Sequence, residues 1–322
     1  MDNTTILVLA NPNEPQLAML EALPDGVSIA VGNQPEAFER VAPDAAVIFN
    51  WSGSRELLEK VWKMSPQVRW VHTRAAGLDS LLFPALAESP VPLTNARGVF
   101  SASLGEFVIA AALFFAKDLR RMLRSQEAGV WDQFDIEMLS GKTLGIVGYG
   151  DIGREVARRG KAFDMLVLAM RRHPDKARGD NLADEVLPPE RLGELMERSD
   201  YVAVTAPLTP ETRGLIGQTQ LRAMKQTAVI MNVGRGPVID EAALIQALEE
   251  KRIRGAALDV FNAEPLPAGH PFYRLENVLL SPHSADHTPD WLEQTMRFFL
   301  ENFERFYKGE PLRNVVDKRL GY

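Results

Sequence analysis

A glycine-spaced turn between an apolar run and a helical one narrows the fold of this chain more than anything else in it. Leu144-Gly145-Ile146-Val147 reads as a short strand and leads straight into Gly148-Tyr149-Gly150-Asp151-Ile152-Gly153, after which Arg154-Glu155-Val156-Ala157 reads as helix. A second apolar run, Met165 to Met170, stands where the next parallel strand is needed. The G-x-G-x-x-G spacing alone is common, but between a strand and a helix it marks the first turn of a dinucleotide-binding sheet. Gly148 permits the tight turn, Gly150 lets a pyrophosphate approach the backbone, and Gly153 lets helix and strand pack closely. The helix N-terminus then presents free N–H groups and the positive end of its dipole to the phosphates, with Asp151 and Ile152 in the same turn.

The rest of the chain repeats that alternation. Strands are expected at Ile6-Leu7-Val8-Leu9, Ala46-Val47-Ile48-Phe49, Val68-Arg69-Trp70-Val71 and Val91-Pro92-Leu93-Thr94, with a helix over Ser54 to Met64. A second series is expected near 143–147, 165–170, 201–205, 228–232, 256–260 and 278–280. Alternating βα units build parallel sheets covered by helices. A length of 322 residues suits two domains. The expected fold is therefore α/β, two doubly wound parallel-sheet domains of Rossmann or flavodoxin type with a cleft between them. One is discontinuous, residues 1–98 and 289–322, and binds substrate; the other, 99–288, binds the dinucleotide. Ser103-x-x-Glu106 fits a capping box that opens a helix to about Leu123, apolar on nearly every side from Phe107 to Phe115. Such a helix is expected between domains or between subunits, which predicts a homodimer. Pro289 to Phe306 is expected as an amphipathic helix returning to the first domain. Trp131 is expected to pack, or else to line the cleft or a subunit contact, and His72 to sit in the core or behind the substrate loop.

Dinucleotide sheets that take NAD(H) usually end their second strand on Asp or Glu, which bonds the ribose 2′-hydroxyl. Here the strand ends Leu168-Ala169-Met170-Arg171-Arg172-His173, with two arginines and no carboxylate. Guanidinium forks match phosphate oxygens, so Arg171 and Arg172 point to the 2′-phosphate of NADP(H), with NAD(H) the weaker alternative.

Three further segments follow expected strands: Asn232-Val233-Gly234-Arg235-Gly236-Pro237, Ala257-Leu258-Asp259-Val260-Phe261-Asn262-Ala263-Glu264-Pro265, and Leu280-Ser281-Pro282-His283-Ser284-Ala285-Asp286-His287. In this order behind a G-x-G-x-x-G turn they resemble the D-isomer-specific 2-hydroxyacid dehydrogenase family, from the Arg74-Ala75-Ala76-Gly77-Leu78-Asp79 loop to the C-terminal helix. The arginine pair makes the chain look closest to the glyoxylate/hydroxypyruvate reductase branch. The resemblance implies hydride transfer between the nicotinamide and a small 2-keto acid or D-2-hydroxy acid. Arg235 would pair with the substrate carboxylate and polarise the keto oxygen. His283 would be general acid in reduction and base in oxidation, since imidazole exchanges a proton near neutral pH. Glu264 would bond the far ring nitrogen of His283 and orient it. Asp259 would hold the nicotinamide carboxamide, with Pro207, Val233 and Gly234 also on the cofactor side, and the amides of Ala76 and Gly77 would hold the substrate carboxylate. Closure of the two domains over the substrate is expected.

The chain departs from the family pattern in two places. Many relatives read LHxP where this chain has Val204-Thr205-Ala206-Pro207, so Thr205 stands at the histidine position. The substrate loop lacks a second acidic residue, having Leu82 there. Two other readings stand beside the reductase: a dinucleotide-sensing, corepressor-like binding protein, and the same chemistry on a bulkier 2-keto acid. Formate-type relatives carry Gln at the Glu264 position. Arg74 and Arg97 are candidates for a phosphorylated substrate. A net charge of −7 argues against nucleic acid or an anionic membrane as partner. The absence of cysteine removes disulfide, thiolate and iron–sulfur chemistry. No metal is expected, because His283 and His287 have no third ligand near them. Met1-Asp2-Asn3 lacks the start of a signal peptide, and the cytosol is the expected compartment.

Overall fold

The computed structural model describes residues 4–177 and 179–321, so the N-terminal Met1-Asp2-Asn3 reading lies outside the described residues. The chain divides into two compact units, Met1–Phe100 with Thr288–Tyr322, and Ser101–His287.

The first unit carries β1 (Thr4–Leu9), β2 (Val27–Gly32), β3 (Val47–Asn50), α1 (Arg55–Met64), β4 (Trp70–Thr73), α2 (Pro84–Glu88) and β5 (Leu93–Asn95). Its five parallel strands run in the order β2-β1-β3-β4-β5. Side chains alternate across a strand, so a sheet covered on both faces needs apolar residues at every position. On β1, Leu7 and Leu9 join the core with Leu57, Leu58 and Val61 of α1, while Ile6 and Val8 join the aromatic core on the other face. Ser54 caps α1 by accepting from the Leu57 amide at 3.2 Å.

The second unit begins with α3 (Ser101–Ala116) and α4 (Leu119–Glu127), followed by β6 (Thr143–Val147), α5 (Asp151–Ala162), β7 (Leu166–Met170), β8 (Glu185–Leu187), α6 (Leu192–Arg198) and β9 (Tyr201–Val204). It continues with α7 (Gln218–Ala223), β10 (Val229–Asn232), α8 (Glu241–Glu249), β11 (Gly255–Leu258) and β12 (Val278–Leu280). Its seven strands are all parallel, in the order β12-β11-β10-β9-β6-β7-β8. The β6 strand shows why both faces fill. Leu144 packs where α5 has Gly160, and the next residue, Gly145, leaves room for Leu195 of α6. The chain closes with α9 (Trp291–Tyr307) in the first unit, where Phe299 stacks on Phe49 with ring centroids 3.9 Å apart.

Two expectations about the helices need correction. Ser103 does not cap a helix: α3 has already begun at Ser101, and the Ser103 hydroxyl donates to the Ala285 carbonyl at 2.6 Å. Nor does one helix reach Leu123. Asp118 takes a left-handed φ of 47°, breaks the run, and becomes the cap of α4 through a bond from the Arg121 amide. Within its own unit α3 packs against α5 and β10, with Leu104, Val108, Ile109, Ala111, Ala112 and Phe115 buried, while Phe107, Leu113 and Phe114 stay partly exposed. The exposed apolar side chains come later, at Leu123, Val130, Ile136 and Met138, and Trp131 is 90% exposed rather than packed. Among the described residues no helix is long and apolar enough to cross a membrane.

Candidate active site

In open α/β sheets ligands bind beyond the carboxyl ends of the strands. In the second unit the glycine turn follows β6, Thr205-Ala206-Pro207 follows β9, the Arg235 loop follows β10, Asp259 follows β11 and His283 follows β12.

The glycine turn has the form a dinucleotide requires. Gly148 holds a φ of +104°, where only glycine is at ease. A Cβ on Gly153 would meet the Gly148 carbonyl oxygen at 2.6 Å, while one on Gly150 would meet nothing within 4 Å. The backbone is thus packed tightly from below and open on the side where a pyrophosphate would lie. α5 starts from Gly150 with no side-chain cap, the form of helix N-terminus that suits an anion. These residues fit a dinucleotide.

Ala206 is the piece that the sequence reading passed over. A Cβ at Gly148 would meet its amide nitrogen at 2.5 Å, and a Cβ at Gly234 would meet its carbonyl oxygen at 2.7 Å. Three loops therefore close on one another through glycines. Thr205, at the family's histidine position, donates its hydroxyl to the Gly148 carbonyl at 2.6 Å. Its departure from the pattern still serves the turn.

Arg235 is held from both sides. Asn232 is buried, accepts from the Gly234 amide at 3.1 Å and donates to the Arg235 carbonyl at 3.0 Å, which closes the loop on itself. A Cβ at Gly236 would fall 2.1 Å from the Phe261 carbonyl carbon, so only glycine lets this loop lie on the segment that carries Glu264. Glu264 is oriented by one oxygen, which accepts from the Phe261 amide at 2.9 Å. Its other oxygen lies 2.6 Å from Nδ1 of His283. The carboxylate oxygen accepts, so Nδ1 donates to it and Nε2 is the outward nitrogen. Asp259 is buried, and one of its oxygens accepts from the amides of Ser284 and Ala285 at 3.0 and 3.1 Å. This ties the His283 loop to the end of β11. Arg172 lies against Glu211, Nη2 to Oε2 3.3 Å, an exposed pair. Among the described residues no group of three or more His, Asp or Glu side chains could hold a metal, and His287 lies 3.7 Å from Asp286.

In the first unit, Ala76 and Gly77 follow β4. The Ala76 carbonyl accepts from Asn95 Nδ2 at 2.6 Å, and among the described residues neither amide, Ala76 or Gly77, donates to a protein acceptor. His72 lies in the core, with Nδ1 2.7 Å from the Thr94 hydroxyl.

A dinucleotide turn, an oriented histidine and an arginine, all at the carboxyl ends of one parallel sheet, are the set that an oxidoreductase using a nicotinamide dinucleotide needs. The family model for the D-isomer specific 2-hydroxyacid dehydrogenase, NAD binding domain, matches residues 109–285. A glyoxylate reductase from Korarchaeum cryptofilum is 36% identical over 271 residues, 81% of this chain and 80% of that protein. A D-3-phosphoglycerate dehydrogenase from Methanocaldococcus jannaschii is 33% identical over 317 residues; the match takes in 97% of this chain but spans only 59% of that relative's length. The crystal structure of an NADPH-dependent glyoxylate/hydroxypyruvate reductase from Sinorhizobium meliloti, in complex with NADP and sulfate, superposes with a TM-score of 0.85 at 26% identity, over 99% of this chain and 100% of that one. The chain belongs to the D-isomer specific 2-hydroxyacid dehydrogenase family.

Proposed function

We propose that the chain reduces small 2-keto acids to D-2-hydroxy acids with NADPH, glyoxylate and hydroxypyruvate first among them, as a cytosolic homodimer. The observation that carries this reading is the 2.6 Å contact between Glu264 and His283, built beside the Arg235 loop on the strand ends that also carry the glycine turn.

When bound, the nicotinamide supplies the hydride that adds to the keto carbon. The π electrons of the carbonyl move to its oxygen, which takes a proton from Nε2 of the doubly protonated His283 ring and leaves Nδ1–H in its bond to Glu264. Glu264 holds the ring so that Nε2 faces outward and offsets the charge when both nitrogens are protonated. Arg235 pairs with the carboxylate and polarises the keto oxygen, and its planar fork suits both tasks. In the first unit, the amides of Ala76 and Gly77, unfilled among the described residues, suit a substrate carboxylate. Gly148, Gly150, Asp151, Ile152 and Gly153 hold the pyrophosphate, with Pro207, Val233, Gly234 and Asp259 at the nicotinamide end. Arg171 and Arg172 receive the 2′-phosphate, and a phosphate there would displace Glu211 from Arg172, being the more highly charged acceptor.

The test follows absorbance of the reduced nicotinamide with glyoxylate or hydroxypyruvate, NADPH and NADH in parallel. NADPH is expected to give a kcat/KM about tenfold or more above NADH, and the double variant Arg171→Ala, Arg172→Ala to remove that preference. A preference for NADH would leave the enzyme class and end the phosphate assignment. No turnover across a panel of 2-keto acids would sink the reductase reading and favour the sensor.

The homodimer reading draws on the apolar side chains left exposed by α4 and the segment after it, including Leu123, Val130, Trp131 and Met138. Sedimentation at micromolar concentration is expected to give twice 35.8 kDa. A species at the single-chain mass would refute it.

A further inference from the structure

Arg74 follows β4 directly and stands two residues ahead of Ala76. Its guanidinium carbon lies 4.9 Å from the ring centroid of Trp51 and 5.4 Å from that of Trp291. Packing against two indoles fixes a side chain that is otherwise among the most mobile. Trp51 is itself buried and anchored, its Nε1 donating to the Glu14 carboxylate. Yet among the described residues the Arg74 guanidinium makes no hydrogen bond to a protein acceptor. Its half-burial lowers its affinity for the proton, and the only opposing influence is the charge of Glu14. A guanidinium placed only to pin two rings has no need to leave its donors unfilled at the cost of partial desolvation. An immobilised, half-exposed fork with open donors has the form of an anion receptor.

Its position in the sheet supports the same view. The strand order β2-β1-β3-β4-β5 reverses direction between β1 and β3, and ligands of such sheets bind at the carboxyl ends beside that point. Glu14 lies in the segment after β1, Trp51 follows β3 and Arg74 follows β4. The cluster therefore borders the place where the topology opens a crevice, next to the loop whose free amides are Ala76 and Gly77.

We propose that Arg74 recognises a second anionic group at the far end of the substrate, so that 2-keto acids carrying a distal carboxylate or phosphate belong to the substrate range of this enzyme. The proposal rests on the reading that the amides of Ala76 and Gly77 hold the 2-keto carboxylate. Glu14 does not prevent it, because its carboxylate is engaged by Trp51 and no ion pair joins it to Arg74. A bulky substrate without a distal charge would gain nothing from Arg74.

The experiment measures kcat and KM with NADPH for three sets of substrates. Glyoxylate and hydroxypyruvate carry one charge, oxaloacetate and 2-oxoglutarate a second carboxylate, and phosphohydroxypyruvate a phosphate. Each is run on the wild type, Arg74→Lys and Arg74→Met. The ratio of kcat/KM for a doubly anionic substrate to that for glyoxylate is expected to fall about tenfold or more in Arg74→Met, mainly through KM, with Arg74→Lys intermediate. Which of the two arms responds identifies the distal group. Equal losses for all substrates would overturn the proposal and leave Arg74 a structural pin between two indoles. Wild-type turnover of glyoxylate with none of any doubly anionic acid would overturn it too, while leaving the reductase reading intact. Turnover of no 2-keto acid at all would refute both.

Discussion

His283→Ala lowers kcat for 2-keto acid reduction by about two to four orders of magnitude, the range for loss of a positioned general acid. The argument rests on where protons can come from. Nδ1 of His283 is committed to Glu264 at 2.6 Å, which leaves Nε2 as the donor. The other candidates are poor substitutes, since Arg235 is assigned to the substrate carboxylate and Asp259 is engaged by two backbone amides. The effect belongs to kcat rather than to cofactor affinity, because the glycine turn and the Arg171-Arg172 pair lie on other loops. NADPH binding, followed by its fluorescence, is expected to persist in the variant. A kcat within about threefold of wild type would mean that the proton comes from elsewhere, and the assignment of His283 would fall.

Acidification is expected to weaken the first unit through His72. The side chain is fully buried among Phe49, Trp70, Phe298 and Phe299, and burial pulls its pKa down from 6.5 to about 3. Above the unfolded value both states are neutral and the group contributes no pH dependence. Between 6.5 and about 3 the unfolded chain binds a proton that the folded chain refuses, so stability falls as pH falls through that window. From roughly pH 7 to roughly pH 5 the loss is about 2 kcal/mol. Urea unfolding followed by tryptophan fluorescence at both pH values measures it, because Trp51 and Trp70 lie in the same aromatic core. His72→Phe keeps an aromatic ring in that core and should flatten the dependence. An unchanged slope in that variant would assign the effect to other groups.

The parts legible in the sequence were those whose chemistry is local. Gly148, Gly150 and Gly153 act through their own backbone, so their spacing states their purpose, and each strand of the second sheet that was expected is present within a residue or two. The missed strands, β2 and β8, are both edge strands that pair on one side only. An edge strand needs no continuous apolar run, and Ser28 and Glu185 break the pattern that marks a buried one. The break between α3 and α4 was invisible for a different reason. Apolar periodicity runs through it, and the left-handed Asp118 that ends it is a single backbone state no pattern records. Ala206 is the clearest case of information held only in three dimensions. A plain alanine becomes informative once Gly148 and Gly234 are seen to close on it from two different strands.

His283 itself has a φ of 53°, a left-handed backbone state that glycine adopts most easily. The side chain proposed to move the proton therefore occupies a position where the backbone alone would prefer glycine. Selection of this chain for heat resistance alone would press against that histidine, and on the proposed role a glycine there would give a sturdier but inactive protein. Any programme that improves the stability of this enzyme must therefore hold position 283 fixed by a selection for turnover.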